Sequence, residues 1–273
     1  MERVALTLRQ PVCKSDAPAL QISFLTGKRY WYQTAFCAYS LARYADRNIH
    51  FHFYDDGTFD DGLMKQAVRQ FPSSTVVTAE SIQQRLADAL PASRYPLLNH
   101  KRSTYPHIKK LTDVHAGNTH WQLVLDSDML FFRRPDMMLD WLQKPARSFH
   151  MVDVEESYGY PPKLMEELAG AAMPDKLNVG MIGLKGSELD WDKIECWTRE
   201  LEARQGSHYL QEQALTAMLI AGKTCDVAPK DDYVVSPDQR EVNDVQGILH
   251  HYVAASKEWY FKKMWKKFLY GQQ

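Results

Sequence analysis

The feature that most constrains this chain is a short apolar run that ends in two carboxylates. Residues 123–125 are Leu-Val-Leu, and Asp126, Ser127 and Asp128 follow them. The apolar residues predict a strand buried in a sheet. Because side chains alternate along an extended chain, both carboxylates leave the sheet on the same side, where their mutual repulsion requires a cation. Ligands bind at the carboxyl ends of strands in open α/β sheets, so the run predicts a divalent-metal site able to hold a diphosphate. The alternative is an ordinary turn, because Asp and Ser both turn the backbone well.

Composition places the chain among ordinary globular proteins. Its 273 residues are 45% hydrophobic and 25% charged, which suits one α/β domain with a substantial core. The net charge is −1, so the chain has no general basic field that would attract nucleic acid. No nucleic-acid partner is therefore expected.

Several features predict a cytoplasmic setting. The beginning of the chain lacks the basic start and long apolar core of a signal peptide, and apolar stretches such as residues 214–221 are too short for a transmembrane helix. The four cysteines (Cys13, Cys37, Cys196 and Cys225) form no CxxC pair. Neither a zinc site nor a disulfide framework is indicated, which favours a reducing compartment.

Strands and helices alternate in the predicted secondary structure of the first half, which indicates an α/β fold with a mostly parallel central sheet. The predicted strands are residues 19–25, 49–54, 75–78, 123–128, 129–132, 148–152, 177–184 and 247–252. The predicted helices are residues 30–44, 60–70, 81–90, 105–115, 191–204 and 209–220, with an amphipathic C-terminal helix at about 258–270. Residues 1–17 are predicted to form a peripheral extension.

A second candidate for metal chemistry lies near the C-terminus. His250 and His251 end the last predicted strand, and Lys257 follows six residues after His251. A neutral imidazole binds first-row divalent metals well, and an ammonium binds phosphate oxygens. The alternative is a strand end with two solvated histidines.

Two segments together resemble a known family. The strand–Asp-x-Asp–strand layout of LVLDSDMLFFRRP resembles the DxD motif of GT-A-fold, nucleotide-sugar-dependent glycosyltransferases. Residues 251–259 resemble the C-terminal HxxGxxKPW element of glycosyltransferase family 8, the glycogenin and bacterial galactosyltransferase group, although Ala254 replaces Gly and Glu258 replaces Pro. The resemblance implies one GT-A domain over residues 18–273 and a Rossmann-like mixed sheet.

The resemblance also implies an activity. The chain would transfer a sugar from a nucleoside-diphosphate sugar, with UDP favoured, to an acceptor hydroxyl with retention at the anomeric carbon. Mn²⁺ or Mg²⁺ would bind to Asp126, Asp128 and His251, with His250 as the alternative ligand, and Lys257 would bind the diphosphate. The sequence does not distinguish a glycan, lipid or protein acceptor.

Two further segments resemble donor-sugar elements of that family. Asn178-Val179-Gly180 resembles a step whose Asn lies near the donor sugar, and its alternative is a β-bulge in a buried strand. Glu212 and Gln213 resemble an Asp-Gln-Asp pattern near the anomeric centre. Their alternative is favourable acid at a helix N-terminus.

Several residues are weaker donor-site candidates. Asp55 and Asp56, followed by Gly-Thr, resemble a step that contacts the nucleotide base or ribose in related sugar transferases, and the alternative is a plain β-turn. Thr26 ends the first predicted strand, Lys109 lies on the helix before the Asp-x-Asp strand, and Ser127 lies between the two carboxylates. Lys109 also suits a solvated helix face.

Two alternatives belong to other classes. A sugar-phosphate nucleotidyltransferase shares this kind of fold, but it usually has a Gly-rich basic loop after the first strand. Residues 26–29 only faintly resemble that loop. A non-catalytic nucleotide-sugar-binding protein would lack the metal ligands. The C-terminal helix carries an aromatic stripe flanked by lysines, which predicts packing on the domain core or, alternatively, contact with an anionic membrane.

Overall fold

The protein is described from a computed structural model that covers residues 1–13 and 16–271. Lys14 and Ser15, which belong to the predicted extension 1–17, and Gln272 and Gln273 at the end of the chain lie outside the described residues. The elements form a mixed α/β fold.

The secondary structure of the described residues follows in chain order. The first part contains α1 (Glu2–Ala5), β1 (Leu20–Thr26), α2 (Trp31–Ala45), β2 (Ile49–Asp55), α3 (Asp61–Gln70), β3 (Ser74–Val77), α4 (Ala79–Ala89), α5 (Pro96–Thr104), α6 (Lys109–His115), β4 (Trp121–Leu125) and β5 (Met129–Phe131). The second part contains α7 (Asp136–Gln143), β6 (Phe149–Val152), α8 (Pro162–Ala169), β7 (Leu177–Lys185), α9 (Trp191–Gln205), α10 (Gln211–Ile220), β8 (Asp226–Val227), β9 (Tyr233–Val235), α11 (Gln239–Asp244), β10 (Leu249–His251), α12 (Lys257–Trp259) and α13 (Trp265–Tyr270). A π-helical turn, Tyr260–Met264, joins the last two helices.

The chain forms two compact units. Unit 1 contains Met1–Val77, Leu125–Ala146 and Ala228–Gln273, and unit 2 contains Thr78–Val124 and Arg147–Val227. The larger sheet has seven strands and is mostly parallel. Its strands run in the order β3-β2-β1 in unit 1 and β4-β7-β6-β8 in unit 2.

The parallel strands of unit 1 bring two predicted site residues to one sheet edge. β1 and β2 pair in register from Leu20 opposite Ile49 to Thr26 opposite Asp55. Thr26 and Asp55 therefore end their strands side by side. Alternating apolar residues hold these strands in the core, where Phe24, Phe51 and Phe53 are fully buried with aromatic residues of α2 and the segment after α3.

A smaller sheet in unit 1 positions the C-terminal histidines. β10 pairs antiparallel with β5, so that His251 lies opposite Met129 and His250 lies opposite Leu130. β10 also pairs with β9 in parallel. The backbone N–H of Tyr252 donates to the Asp128 carbonyl, at 2.9 Å. This pairing brings the end of β10 to the segment that joins β4 and β5.

In unit 2, a bulge interrupts the pairing of β6 with β7. Phe149 lies opposite Gly183 and His150 opposite Ile182, but the next residue, Met151, lies opposite Asn178. Residues 179–181 therefore form the longer side of the irregularity, which matches the bulge considered for Asn178-Val179-Gly180. β8 extends this sheet in parallel with β6.

The N-terminal segment also packs within unit 1. Gln70 donates from Nε2 to the carbonyls of Ala5 and Leu8, and both of those residues are buried. The division into an extension, residues 1–17, and a single domain, residues 18–273, stays a prediction. Among the described residues, no helix is both long and apolar enough to cross a membrane.

Candidate functional site

Three predicted ligands meet in unit 1. The Nε2 atom of His251 lies 3.8 Å from Oδ2 of Asp126 and 3.4 Å from Oδ1 of Asp128. One ligand atom from each residue lies within 4.8 Å of the other two. Across residues 1–13 and 16–271, this is the single group of three or more His, Cys, Asp or Glu side chains arranged in this way.

Lys257 places a positive charge beside the group formed by Asp126, Asp128 and His251, called the triad below. Its Nζ lies 3.0 Å from Oδ2 of Asp128, and its side chain is half exposed. Burial of Asp128 opposes its ionisation, but the contacts and charges of His251 and Lys257 outweigh burial and hold the pKa of Asp128 below its ordinary value. Asp128 is therefore an anion at neutral pH.

The strand alternation of β10 gives the two histidines different surroundings. The fully buried His250 contacts Glu241 Oε1 through Nε2 at 2.7 Å and the Tyr252 hydroxyl through Nδ1 at 3.0 Å. Burial lowers the pKa of His250, and the Glu241 carboxylate opposes that shift. His250 is thus part of a buried network, while His251 contacts the carboxylates.

A chain of hydroxyls lies beside the carboxylates. The Ser127 Oγ is 2.7 Å from the Thr34 Oγ1, which is 2.6 Å from the Thr26 Oγ1. Ser127 is thus held by Thr34 of α2, while Asp126 and Asp128 on either side of it contact His251. These contacts anchor the loop between β4 and β5.

Asp55 and Asp56 form a hydrogen-bonded turn after β2. Oδ1 of Asp55 accepts hydrogen bonds from the backbone N–H groups of Gly57, Thr58 and Phe59. Oδ1 of Asp56 accepts from the N–H and the hydroxyl of Thr58. Gly27 packs against this turn, because a Cβ added to it would lie only 2.0 Å from Oδ1 of Asp56 and a larger residue would displace the carboxylate. The turn interpretation therefore accounts for these contacts, and a role in binding a base or ribose stays a prediction.

A polar cluster in unit 2 surrounds Asp153, which follows β6. Oδ2 of Asp153 accepts hydrogen bonds from the amide of Asn178 at 3.0 Å and from the amide of Gln213 at 3.5 Å. Gln213 also donates to the Ser157 carbonyl at 2.7 Å, and Asn178 Oδ1 accepts from the Gly180 N–H at 2.9 Å. Sequence reasoning missed Asp153, although its position directly after a predicted strand was a usable signal.

A buried cation accompanies Glu212. Lys110 donates from Nζ to the Val179 carbonyl at 3.0 Å, and the same atom lies 3.8 Å from Glu212 Oε2. Lys110 and Glu212 are both buried. The neighbouring Lys109, which was the sequence-based candidate, is the first residue of α6. Six of the seven residues of α6, Lys110 to His115, are buried, so the sequence offered no amphipathic pattern that would have singled out Lys110 rather than Lys109.

The triad suits a divalent metal ion. Mn²⁺ and Mg²⁺ favour carboxylate oxygens, and an imidazole nitrogen is a common additional ligand for first-row metals. Two carboxylates and one imidazole would leave further coordination positions for phosphate oxygens. The donor atoms present in unit 1 therefore fit the predicted ion.

Comparisons with known proteins give the fold. No family model and no curated protein matches the sequence. The galactosyltransferase LgtC, in complex with donor and acceptor sugar analogues, matches the structure with a TM-score of 0.59 at 18% identity, over 91% of this chain and 94% of LgtC. Mouse xyloside xylosyltransferase 1, in its apo form, matches with a TM-score of 0.55 at 11% identity, over 85% of this chain and 97% of that protein. These likenesses confirm the predicted architecture: the chain has the GT-A fold that both glycosyltransferases share.

Proposed function

We propose that this chain is a metal-dependent glycosyltransferase that transfers a sugar from a nucleoside-diphosphate sugar to an acceptor hydroxyl. The observation that carries the proposal is the meeting of Asp126, Asp128 and His251, with Lys257 beside them, in a chain with the GT-A fold. The donor is proposed to be a UDP-sugar on the strength of the family resemblance.

Unit 1 would hold the diphosphate. Asp126, Asp128 and His251 would bind Mn²⁺ or Mg²⁺, and the bound ion would supply positive charge for the leaving diphosphate. Lys257 would bind a phosphate oxygen, because its half-exposed ammonium can exchange Asp128 for another anion. His250 is the less favoured ligand, since both of its ring nitrogens already contact Glu241 and Tyr252. Ser127 and Thr26 would fix the loop that carries the two carboxylates.

Unit 2 would orient the donor sugar. Asn178 and Gln213 share the Asp153 carboxylate, which fixes the orientation of both amides. The side-chain oxygen of Asn178, Oδ1, accepts a hydrogen bond from the Gly180 N–H. Glu212 would contact the sugar near its anomeric carbon. Retention follows from the resemblance, whereas a Glu212 that removed the acceptor proton would give inversion.

The remaining donor contacts are proposed by resemblance alone. Asp55, Asp56 and Lys109 would lie near the nucleotide. We propose a cytoplasmic setting from the cysteine pattern.

A ligand-dependent melting experiment tests the function. UDP-, GDP-, ADP- and CDP-sugars are compared with and without Mn²⁺, because a ligand that binds the folded state raises the melting temperature. We expect the largest rise with a UDP-sugar and Mn²⁺ together, followed by release of free sugar and UDP on incubation. Asp126→Asn should lose the Mn²⁺-dependent part of the rise in melting temperature. Asp88→Asn, at an exposed carboxylate of α4, is the matched control and should keep it. Equal binding with and without Mn²⁺ by the wild-type chain would contradict the metal-dependent proposal.

Contact of the C-terminal helix with an anionic membrane has less support than packing. Trp265 and Phe268 are buried, while Phe261 is 40% exposed. Lys263 and Lys267 bond to α11, which removes two cations from the lysine flank. Sedimentation with anionic liposomes tests the membrane contact, and absence of binding by the intact chain would exclude it. Truncation after residue 259 should yield insoluble protein, because it removes buried aromatic residues.

A further inference from the structure

Unit 2 carries a ladder of three rings on its surface. The ring centroids of Tyr105 and His107 are 5.4 Å apart, and those of His107 and Tyr209 are 4.8 Å apart with planes at 75°. Tyr209 is 68% exposed, and His107 is exposed as well. Of the exposed large apolar side chains in the described part of unit 2, Tyr209 is the one aromatic.

One hydroxyl joins this ladder to the proposed sugar-binding cluster. The Tyr105 hydroxyl donates to the Tyr209 carbonyl at 2.5 Å and accepts from the Glu212 N–H at 3.1 Å. Burial raises the pKa of Tyr105, so its hydroxyl stays protonated and able to donate. The backbone that carries Tyr209 is therefore fixed relative to Glu212, which begins α10 together with Gln211 and Gln213.

The ladder has the chemistry of a carbohydrate platform. A tyrosine offers a large rigid surface with few rotatable bonds, so little conformational entropy is lost when a ligand packs on it. The C–H groups on one face of a pyranose can pack on such a ring, and the ring hydroxyl and imidazole nitrogens can hydrogen-bond to sugar hydroxyls. A lipid tail would instead need a broad apolar patch, and Tyr209 stands as a single exposed aromatic residue.

We propose that Tyr209 and His107 form the acceptor subsite, and that the acceptor is a pyranose-containing glycan. The proposal rests on the proposed glycosyltransferase function, because it takes Glu212 and Gln213 as the residues beside the reacting carbon. The acceptor ring would pack on Tyr209 with one hydroxyl directed toward the start of α10. Tyr105 holds the platform in place and would not itself touch the sugar.

Saturation-transfer NMR tests the subsite with defined probes. The panel contains methyl glycosides of glucose, galactose, mannose, xylose and N-acetylglucosamine, together with lactose, maltose and cellobiose. We expect transfer to the ring protons of at least one saccharide with the wild-type chain and with Tyr209→Trp. Tyr209→Ala should weaken its binding about tenfold or more, because the packing face is lost. His107→Ala should weaken binding less, since it removes the support of the ring.

Tyr270→Ala is the matched control, because Tyr270 is 58% exposed and lies on α13 in unit 1. It should bind saccharides as the wild type does. Saccharide binding that is absent from the wild type, or that Tyr209→Ala and His107→Ala leave unchanged, would overturn the proposal. The proposed function fails by a different result, namely the absence of any UDP-sugar and Mn²⁺ effect on wild-type melting. If Tyr209→Ala does not fold, the comparison of His107→Ala with Tyr270→Ala decides.

Discussion

Replacing Asp128 by Asn should separate metal binding from folding. The substitution keeps the shape of the side chain and removes its charge. In unit 1, that charge lies 3.4 Å from His251 Nε2 and 3.0 Å from Lys257 Nζ. Without an ion, the loss should lower the free energy of unfolding by about 1 to 2 kcal/mol, because the charge contacts the buried His251, whereas Lys257 is half exposed and returns to water at little cost. The metal-free variant should therefore fold and melt only a few degrees below the wild type.

The effect on metal-dependent properties should be much larger. Asp128 is one of only two carboxylates in the triad, so the ion loses half of its anionic ligands. A metal ion is worth several kcal/mol to a transition state that develops charge. A loss of about 3 to 5 kcal/mol corresponds to roughly 10²- to 10⁴-fold in turnover. Asp126→Ala and His251→Ala should have effects of the same order.

The assay is thermal unfolding with and without Mn²⁺, followed by donor turnover. At a Mn²⁺ concentration about 100 times its Kd, binding stabilises the folded wild type by about 2.7 kcal/mol. For a chain of this size, that free energy raises the melting temperature by roughly 5 to 10 °C. Asp128→Asn should show almost none of this rise at the same concentration.

His250→Ala is the internal control. It should keep the Mn²⁺-dependent rise, although its own melting temperature should fall because a fully buried histidine with two partners is removed. If His250→Ala loses the rise and His251→Ala keeps it, the assignment of the ligand is wrong. An Asp128→Asn variant with the full Mn²⁺ effect, or full wild-type donor turnover in excess EDTA, would refute the metal-dependent reasoning.

Three further predictions concern Lys257 beside the metal ligands of unit 1, Glu212 and Gln213 in unit 2, and the buried His115 in unit 2. Lys257→Ala should reduce turnover by roughly tenfold to a few hundredfold, because one charge-assisted contact is lost. Calorimetry should show unchanged or tighter Mn²⁺ binding, because the Lys257 ammonium no longer competes with the ion for the Asp128 carboxylate. Weaker Mn²⁺ binding would contradict this role. Glu212→Gln and Gln213→Ala should lower kcat more than donor affinity, since their contacts are proposed for the transition state, and NMR of the product anomer tests retention separately; wild-type kcat in both variants would remove them from the site. Burial, with Arg85 and Lys110 nearby, lowers the pKa of His115 to about 3, so the stability that this neutral ring contributes is complete above about pH 6.5 and is lost as pH falls. At pH 5 the loss should be about 2 kcal/mol by denaturant unfolding, and His115→Leu should remove that part of the pH dependence; an unchanged pH dependence in the variant would show that His115 is not its source.

The elements with strong periodicity were predictable from the sequence. The strand predicted at 49–54 corresponds to β2, Ile49–Asp55, and the helix predicted at 60–70 corresponds to α3, Asp61–Gln70. Both have regular apolar spacing and clear ends, and Asp60 caps α3 by accepting from the Leu63 N–H. Local pattern and tertiary packing agree in these segments, so the sequence alone was sufficient.

Short helices were missed for an identifiable reason. α5, α7 and α8 have only eight or nine residues each, which is too short for a periodic pattern to stand out from chance. Two of them nevertheless begin with a proline, Pro96 in α5 and Pro162 in α8. Proline at the first helical position is a start signal, and it was available in the sequence.

The candidate site was predictable in its residue types and not in its pairings. Asp126 and Asp128 stand out because they follow an apolar strand, but the choice between His250 and His251 depends on the register of β10 against β5. That register is a tertiary property, and a shift of one residue would exchange the two histidines. Asp153 was missed because a single carboxylate after a strand is common, and its importance appears only through Asn178 and Gln213.

The C-terminal helix shows why amphipathic patterns do not identify their partner. The same stripe of apolar residues suits a protein core and a membrane surface, because both are apolar environments. In the structure the stripe packs on α2. The ring centroids of Trp265 and Phe36 are 5.8 Å apart, and those of Phe268 and Tyr39 are 5.9 Å apart, both pairs in edge-to-face geometry. The aromatic residues of α2, which made its sequence unusual, are therefore the partners that the stripe required. Two aromatic-rich helices in one chain can bury each other's apolar faces, and this pairing favours the core over the membrane.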